Sequence, residues 1–349
     1  MSARSSQLSS NKNGKPTIGV SGNTAMGGLD ATPPKPSIRN LPVSLFGAVM
    51  GLSGLSLAWR FAHQNFGAPQ FLSSVIALIS IVVFVLLVLG YLTKSVAYPD
   101  AVVAEFKHPV TSNFFGTFTI ALLLLSAIAS PVSEALSVGL WIAGVLTTFV
   151  LGYIVISRLL SGGQDPTLAI PAWLIPGVAT LDIAIPGSHM PMSWAGEVNL
   201  LALAIGAAVA LVFFVMIFAR LVNHAAIAPA MMPSLMILIA PFEVGFLAYT
   251  SVMGRIDAFA SVLFYAGLFL FLVVVPKIFR RSNPFTASWW AISFPTAALV
   301  NAALTYAAKT QSITITWIAW ALLVLLTGTL LVLLIRTIKI LLNGKLLSA

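Results

Sequence analysis

From about residue 41 to 338, long apolar runs alternate with short polar or basic connections, and several runs exceed the roughly 20 residues a helix needs to cross a bilayer. Stretches such as Ile76 to Leu92 and Leu322 to Ile335 do not alternate residue by residue, which excludes the strands of a membrane barrel. Ten spans follow, at about 41–60, 71–93, 112–130, 137–158, 169–186, 198–221, 231–252, 257–276, 288–307 and 315–338. They differ by parity. Even spans are filled with large aliphatic and aromatic residues, as in Ile81 to Leu87, Leu211 to Phe218 and Leu268 to Val275. Odd spans carry the small and polar residues: Gly47, Gly51 and Gly54, then Asn113 and Gly116, then Pro176, Gly177 and Asp182, then Pro241, Glu243 and Gly245, and last Ser293, Pro295 and Asn301. Such residues are costly against lipid and tolerable inside protein or along a wet path. Odd spans begin near 41, 112, 169, 231 and 288, so a helical hairpin recurs five times at intervals of about 60 residues. The pattern predicts an all-α polytopic membrane protein of ten transmembrane helices, built as five repeated helical hairpins with five inner helices around a pore and five outer ones.

Composition agrees with this: 59% of 349 residues are hydrophobic and 8% charged. With no cysteine there is no disulfide, thiolate metal site or cysteine nucleophile. The formal charge of +9 invites a nucleic-acid partner, but the basic residues flank spans instead of forming a soluble face. They report topology. With the N-terminal segment placed in the cytoplasm, 15 of the 18 basic residues fall on that side, and only Arg60, Arg255 and Lys309 on the other. The positive-inside rule therefore puts both termini in the cytoplasm. Residues 1–38 are rich in Ser, Asn, Gly, Pro and Thr and lack the apolar core of a signal peptide, so they read as a disordered cytoplasmic tail; 39–349 form the transmembrane domain.

The ninth span holds the most specific chemistry. In Trp289-Trp290-Ala291-Ile292-Ser293-Phe294-Pro295, Pro295 removes a backbone donor and predicts a kink, with Phe294 at the bend. A ring there, followed by Ala297 and Ala298, suits a plugged pore; the plainer reading is a lipid-facing or core phenylalanine. Ser44, Ser53, Thr111, Asn113, Thr180, Ser293 and Asn301 either donate to a partly dehydrated anion or make interhelical hydrogen bonds. Asp182 and Glu243 are intramembrane carboxylates, which cost at least ~2.5 kcal/mol to insert charged. Held protonated, they would suit proton coupling; near span ends in water, or paired, they would be structural. The four histidines sit in different connections, and no phosphate-cradling loop, Ser-His-Asp order or HExxH run is present. Neither an enzyme nor a cofactor is expected.

Five stretches, in order on the odd spans, carry a family resemblance. They are Pro42-Val43-Ser44-Leu45-Phe46-Gly47 with Gly51-Leu52 and Leu55 to Trp59; His108-Pro109-Val110 with Phe114-Phe115; Pro171-Ala172-Trp173 with Pro176; Ala240-Pro241; and the Trp-Trp to Phe-Pro run. From about Leu41 to Lys345 the chain resembles the slow-anion-channel and tellurite-resistance (TehA) family of dicarboxylate and anion transporters. The resemblance implies a homotrimer, a separate pore inside the five inner helices of each protomer, and a pore-blocking phenylalanine falling on Phe294. Candidate pore-lining or kink positions are Phe46, Gly51, Pro176, Pro241, Ser293 and Pro295. Asp182 and Glu243 depart from the family, whose inner helices are nearly free of acids. Because no Lys or Arg lies well inside an odd span, selectivity is expected to follow dehydration cost. The expected function is a channel or facilitator for small inorganic or organic anions in the bacterial inner membrane, gated by Phe294. The alternatives are a proton-coupled carrier or efflux transporter for dicarboxylates, sulfite or tellurite, and an occluded scaffold without flux. Small anions, the lipid bilayer and further copies of the chain are its expected partners, and nucleic acid is not.

Overall fold

The computed structural model describes residues 36–163, 165–280 and 285–348, and these contain helices and connections without a strand. The α-helices are α1 (Phe46–Phe66), α2 (Gln70–Ala97), α3 (Pro99–Lys107), α4 (Phe115–Ala129), α5 (Glu134–Leu160), α6 (Ile175–Asp182), α7 (Ala184–Gly187), α8 (Ala195–Asn223), α9 (Ala240–Met253), α10 (Ala258–Ile278), α11 (Ser293–Thr310) and α12 (Ile313–Leu342). Among the described residues nine helical runs are long and apolar enough to cross a membrane. The chain is a multi-pass helical membrane protein.

Burial separates the runs. In those ending with α1, α4, α9 and α11, 78, 78, 67 and 78% of the most apolar window is buried in protein, against 11 to 33% for α2, α5, α8, α10 and α12. Every residue of α6 is buried as well. The five buried helices pack in a closed circuit, α1 on α4, α4 on α6, α6 on α9, α9 on α11 and α11 back on α1, and each outer helix lies against its inner neighbour. Large aliphatic faces are thereby left to lipid, and small residues meet at the centre.

Each inner helix is preceded by a tighter 3-10 segment: Val43–Leu45, Thr111–Phe114, Pro171–Leu174, Pro229–Ile239 and Ala287–Ile292. Pro42, Pro109, Pro171 and Pro229 stand at or just before four of these starts and supply no backbone donor there. Hydroxyls three residues on satisfy carbonyls of the tightened turns, as in Thr117 to Phe114 O (2.6 Å), Ser234 to Met231 O (2.7 Å) and Ser293 to Trp290 O (2.6 Å).

This changes three expectations. Pro295 is the third residue of α11, where its missing N–H costs no intrahelical bond, so the irregularity is the 3-10-to-α transition before Ser293 and not a mid-helix kink. The span at 169–186 is not one helix but the pieces Pro171–Leu174, α6 and α7; Trp141 Nε1 of α5 donates to the Ile183 carbonyl at the break (3.0 Å). The first span continues to Phe66, stopped by Gly67 in the left-handed region (φ 72°). The amphipathic α3 was not among the expected elements.

Residues 1–35 of the expected tail lie outside the described residues. Residues 36–38 lie with the body, where the Ser37 amide donates to Leu347 O (3.0 Å) and Asn40 Nδ2 donates to the same oxygen (2.9 Å).

Candidate functional site

Two cavities lie within the ring of inner helices. The first, about 220 Å³, sits among the 3-10 starts and is lined by Val43, Ser44, Gly47, Thr111, Phe114, Ser234 and Trp290, among others. The second, about 700 Å³, lies between the far ends of the same helices and is lined by Arg60, Asp182, His189, Arg255, Asn301 and Lys309, among others. Among the described residues Phe294 is the one side chain common to both linings. Phe294 is 7% exposed and borders each of the two spaces. Ala297 and Ala298, one turn on, widen the second cavity directly behind it.

The frame around Phe294 is fixed by hydrogen bonds. Ser293 Oγ donates to Gly47 O across to α1 (3.1 Å) as well as to Trp290 O, and Trp290 Nε1 donates to Thr337 Oγ1 of α12 (2.9 Å). A Cβ on Gly51 would collide with the Ser293 side chain, so glycine there is what lets α1 and α11 approach closely. At the register Phe294 occupies, the second residue of the α-helix, the other four inner helices have Gly47, Gly116, Pro176 and Pro241. Only α11 places a ring there.

Charge is arranged differently in the two cavities. At the wall of the first, Glu105 of α3 is met by Lys94 Nζ (2.6 Å), the Val43 N–H (2.8 Å) and the Tyr91 hydroxyl (3.0 Å), while Lys94 also donates to Leu41 O (2.8 Å). That pair leaves little net charge. In the second, Arg60 Nη2 donates to Ala127 O (2.7 Å), and Arg255 Nε stands 3.7 Å from Asp257. Asp257 caps α10; the hydrogen bond from Tyr249, then that from the Ala260 N–H, holds its carboxyl below the usual range, so it stays charged at neutral pH. Lys309 has no acidic partner among the described residues. The second cavity is therefore positive at its wall, opposed by the single carboxyl of Asp182.

The residues singled out from sequence fall in different places. Phe294 lines both cavities and Pro295 the first. Phe46 lines neither: its ring packs edge-on against Phe84, Tyr91 and Phe118. Gly51 and Ser293 are at the α1–α11 contact, Pro176 borders a groove shared with α5 and α8, and Pro241 borders no cavity described here. Asp182 is 1% exposed with Oδ2 unpartnered. Glu243 is fully buried with neither oxygen partnered, and it faces α10, where Gly267 leaves room for it; a Cβ on Gly267 would collide with that carboxyl. The two acids are thus not brought together.

Of the polar residues, Ser53 bonds Ser80 (2.8 Å), Thr180 bonds Pro176 O (2.9 Å), and Asn301 bonds Gly54 O (3.0 Å) and Ala297 O (2.8 Å). Ser44 and Thr111 line the first cavity. Arg60, counted from sequence only as a topological marker, and Glu105 were missed as cavity residues. Gly67, a helix-stop signal seven residues after Arg60, shows that the arginine lies inside a helix.

The sequence matches the family described as voltage-dependent anion channel (SLAC1) over residues 40–338. It is similar to the guard cell S-type anion channel SLAC1 of Arabidopsis thaliana, 28% identical over 285 residues, which cover 78% of this chain and 50% of that protein. The S-type anion channel SLAH2 of the same plant is 26% identical over 280 residues, covering 78% of this chain and 53% of that one. The tellurite resistance protein TehA homolog of Haemophilus influenzae is 26% identical over 277 residues, covering 76% of this chain and 81% of that protein. The chain spans about half the length of the two plant relatives. Because the match takes in every inner helix and Phe294, which borders both cavities, the chain belongs to the voltage-dependent anion channel family.

Proposed function

We propose that this protein passes small inorganic or organic anions across the membrane through the two cavities, with Phe294 as the closed gate between them. The observation that carries the reading is that one residue, Phe294, borders both spaces inside a closed circuit of helices. The relatives' names as anion channels support the class of substrate. Ten transmembrane helices in five hairpins, with the pieces between Pro171 and Gly187 serving as the third inner span, complete the architecture. The basic-residue bias puts the first cavity on the cytoplasmic side and the second, with Arg60, Arg255 and Lys309, opposite. Three copies, each with its own pore, form the assembly that the family resemblance implies. Planar-bilayer recording of the reconstituted protein tests the function: the reversal potential should follow the anion gradient. Currents that follow the cation gradient would reject it.

The cysteine-free chain permits a direct check of the pore wall. In a Phe294→Ala background, cysteines at Ser44 and Ala298 should react with small water-soluble thiol reagents, whereas those at Val83, Val212 and Val273 should not. Gly51, Thr180 and Gly245, on inner helices but turned to neighbouring helices, should also stay unlabelled. Equal labelling at Gly51 and Ala298 would rule out this pore axis.

A second reading, proton-coupled transport, rests on Asp182, whose Oδ2 has no partner and whose side chain borders the second cavity. Ionised, Asp182 opposes an anion; protonated, it does not. Anion flux should therefore fall as pH rises through its titration, and Asp182→Asn should flatten that profile. The charged and titratable groups around the same cavity are Arg60, His189, Arg255 and Lys309, so His189→Gln is the control that separates the histidine's contribution. Glu243→Gln should leave the profile unchanged, since Glu243 lies between α9 and α10. Uptake into proteoliposomes at several pH values, with and without a proton gradient, measures all three. A profile unaltered by Asp182→Asn makes the acid structural and the protein a passive channel.

A further inference from the structure

A third, smaller hollow of about 70 Å³ shares no residue with either pore cavity. It forms where the end of α3, the 3-10 start of α4, the last turns of α5 and the 3-10 start of α6 meet. Lys107, Ser112, Asn113, Arg158 and Trp173 are among its walls. Three features of these residues point to an anionic ligand.

First, the Trp173 side chain is 3% exposed and its Nε1–H finds no acceptor, although an indole N–H buried in protein is ordinarily bonded. Second, Arg158 is held and not spent: Nη1 donates to Phe106 O (2.8 Å) and Cζ lies 4.6 Å from the Phe106 ring centroid, leaving the remaining N–H groups of the fork without a hydrogen bond among the described residues. Third, neither Arg158 nor the exposed Lys107 has a carboxylate partner among the described residues. Two cationic side chains, Trp173 with its unbonded indole N–H, and Ser112 thus line one small space. Asn113 is not available as a donor to it, because its Nδ2 is bonded to Pro109 O and Val110 O.

We propose that this hollow binds a phosphate group, with Arg158 and Lys107 supplying charge and Trp173 Nε1–H and Ser112 Oγ–H supplying neutral donors. Guanidinium with convergent N–H and O–H groups suits a tetrahedral oxyanion bearing several acceptors. The hollow lies at the ends of membrane-crossing helices, on the face where the inner helices begin, which is the level of phospholipid headgroups. A headgroup phosphate and free phosphate share this chemistry.

The test uses the purified full chain in an uncharged detergent and reads its thermal unfolding midpoint. Dioctanoyl phosphatidylglycerol, dioctanoylglycerol, inorganic phosphate and chloride at matched ionic strength are titrated separately. Wild-type protein should be stabilised saturably by phosphatidylglycerol and not by dioctanoylglycerol. Trp173→Phe keeps an aromatic side chain against Phe213 but removes the unbonded N–H together with the five-membered ring, so its midpoint without ligand should fall; measured as the ligand-induced shift from that lower baseline, its apparent affinity should be about tenfold weaker, as loss of a hydrogen bond to a charged group makes it. Lys107→Gln, at an exposed site, should weaken it by a similar factor. Stabilisation by phosphatidylglycerol alone identifies a lipid headgroup, and stabilisation by inorganic phosphate as well identifies a site open to the soluble ion. No stabilisation by either, or the same apparent affinity in wild type and both variants, would overturn the proposal.

Discussion

Phe294→Ala is expected to raise anion conductance on the order of a hundredfold while leaving the protein folded. An anion that passes an apolar ring must shed water without compensation, at a cost of several kcal/mol, and each ~1.4 kcal/mol taken off a barrier is worth tenfold in rate. Removing the ring joins two cavities of about 220 and 700 Å³ into one passage. A phenylalanine deleted from a packed core costs about 3–5 kcal/mol because the void stays empty. Here the new space adjoins polar walls, Ser44 and Ser234 on one side and Asn301 on the other, and can fill with water. The neighbouring bonds of Ser293 and Trp290 do not involve the ring. Phe294→Leu should fall between wild type and Phe294→Ala. Planar-bilayer currents, read beside the thermal midpoint of the same preparations, measure both effects; wild-type conductance in a folded Phe294→Ala protein removes the gate.

Glu105→Leu should carry the largest stability loss, about 3–5 kcal/mol, the range for removing one partner of a buried ion pair. Lys94 is 3% exposed, and without Glu105 its ammonium would keep only the Leu41 carbonyl and the face of the Tyr91 ring, 5.1 Å from the centroid. The Val43 N–H and the Tyr91 hydroxyl would lose their acceptor in the same step. Those bonds tie the 3-10 start of α1 to α2 and α3, so the mouth of the first cavity should loosen before the rest of the body. Lys94→Met should cost less, since Glu105 would retain both of its other donors beside a cavity that admits water. Denaturant unfolding in detergent gives the order of the two variants, and hydrogen exchange at the amides of residues 43–45 locates the loosening. A larger loss for Lys94→Met than for Glu105→Leu would contradict this view of the clamp.

The division into inner and outer helices was legible because lipid and protein make opposite demands. Val83, Val85 and Leu86 can face acyl chains without cost, whereas Gly51, Pro176 and Asn301 need protein or water around them. Sequence also singled out Phe294, since it places a ring directly before Pro295 with Ala297 and Ala298 one turn on. Which way the other marked residues point was not legible. An inner helix meets apolar surroundings both toward the pore and toward its outer partner, so the 3.6-residue period carries no contrast by which to set its rotation. Phe46 and Phe294 look alike in a window of sequence, yet one packs among Phe84, Tyr91 and Phe118 and the other borders two cavities.

The acids show the same limit most sharply. That Asp182 and Glu243 lie at membrane depth follows from their place in apolar runs, because span length and basic flanks set depth residue by residue along one chain. Their roles do not follow. Asp182 reaches the second cavity only because α6 stops there and its neighbours α4 and α9, together with α11, line a space, while Glu243 is accommodated by a glycine 24 residues later on another helix. Composition and periodicity thus determined the membrane, the helices and their two classes, all of which depend on one chain's contact with lipid or water. Tertiary structure alone decided where the two cavities lie, the contact of Phe294 with both and the separate surroundings of the two acids, because each is set by which side chains distant in sequence meet across helices.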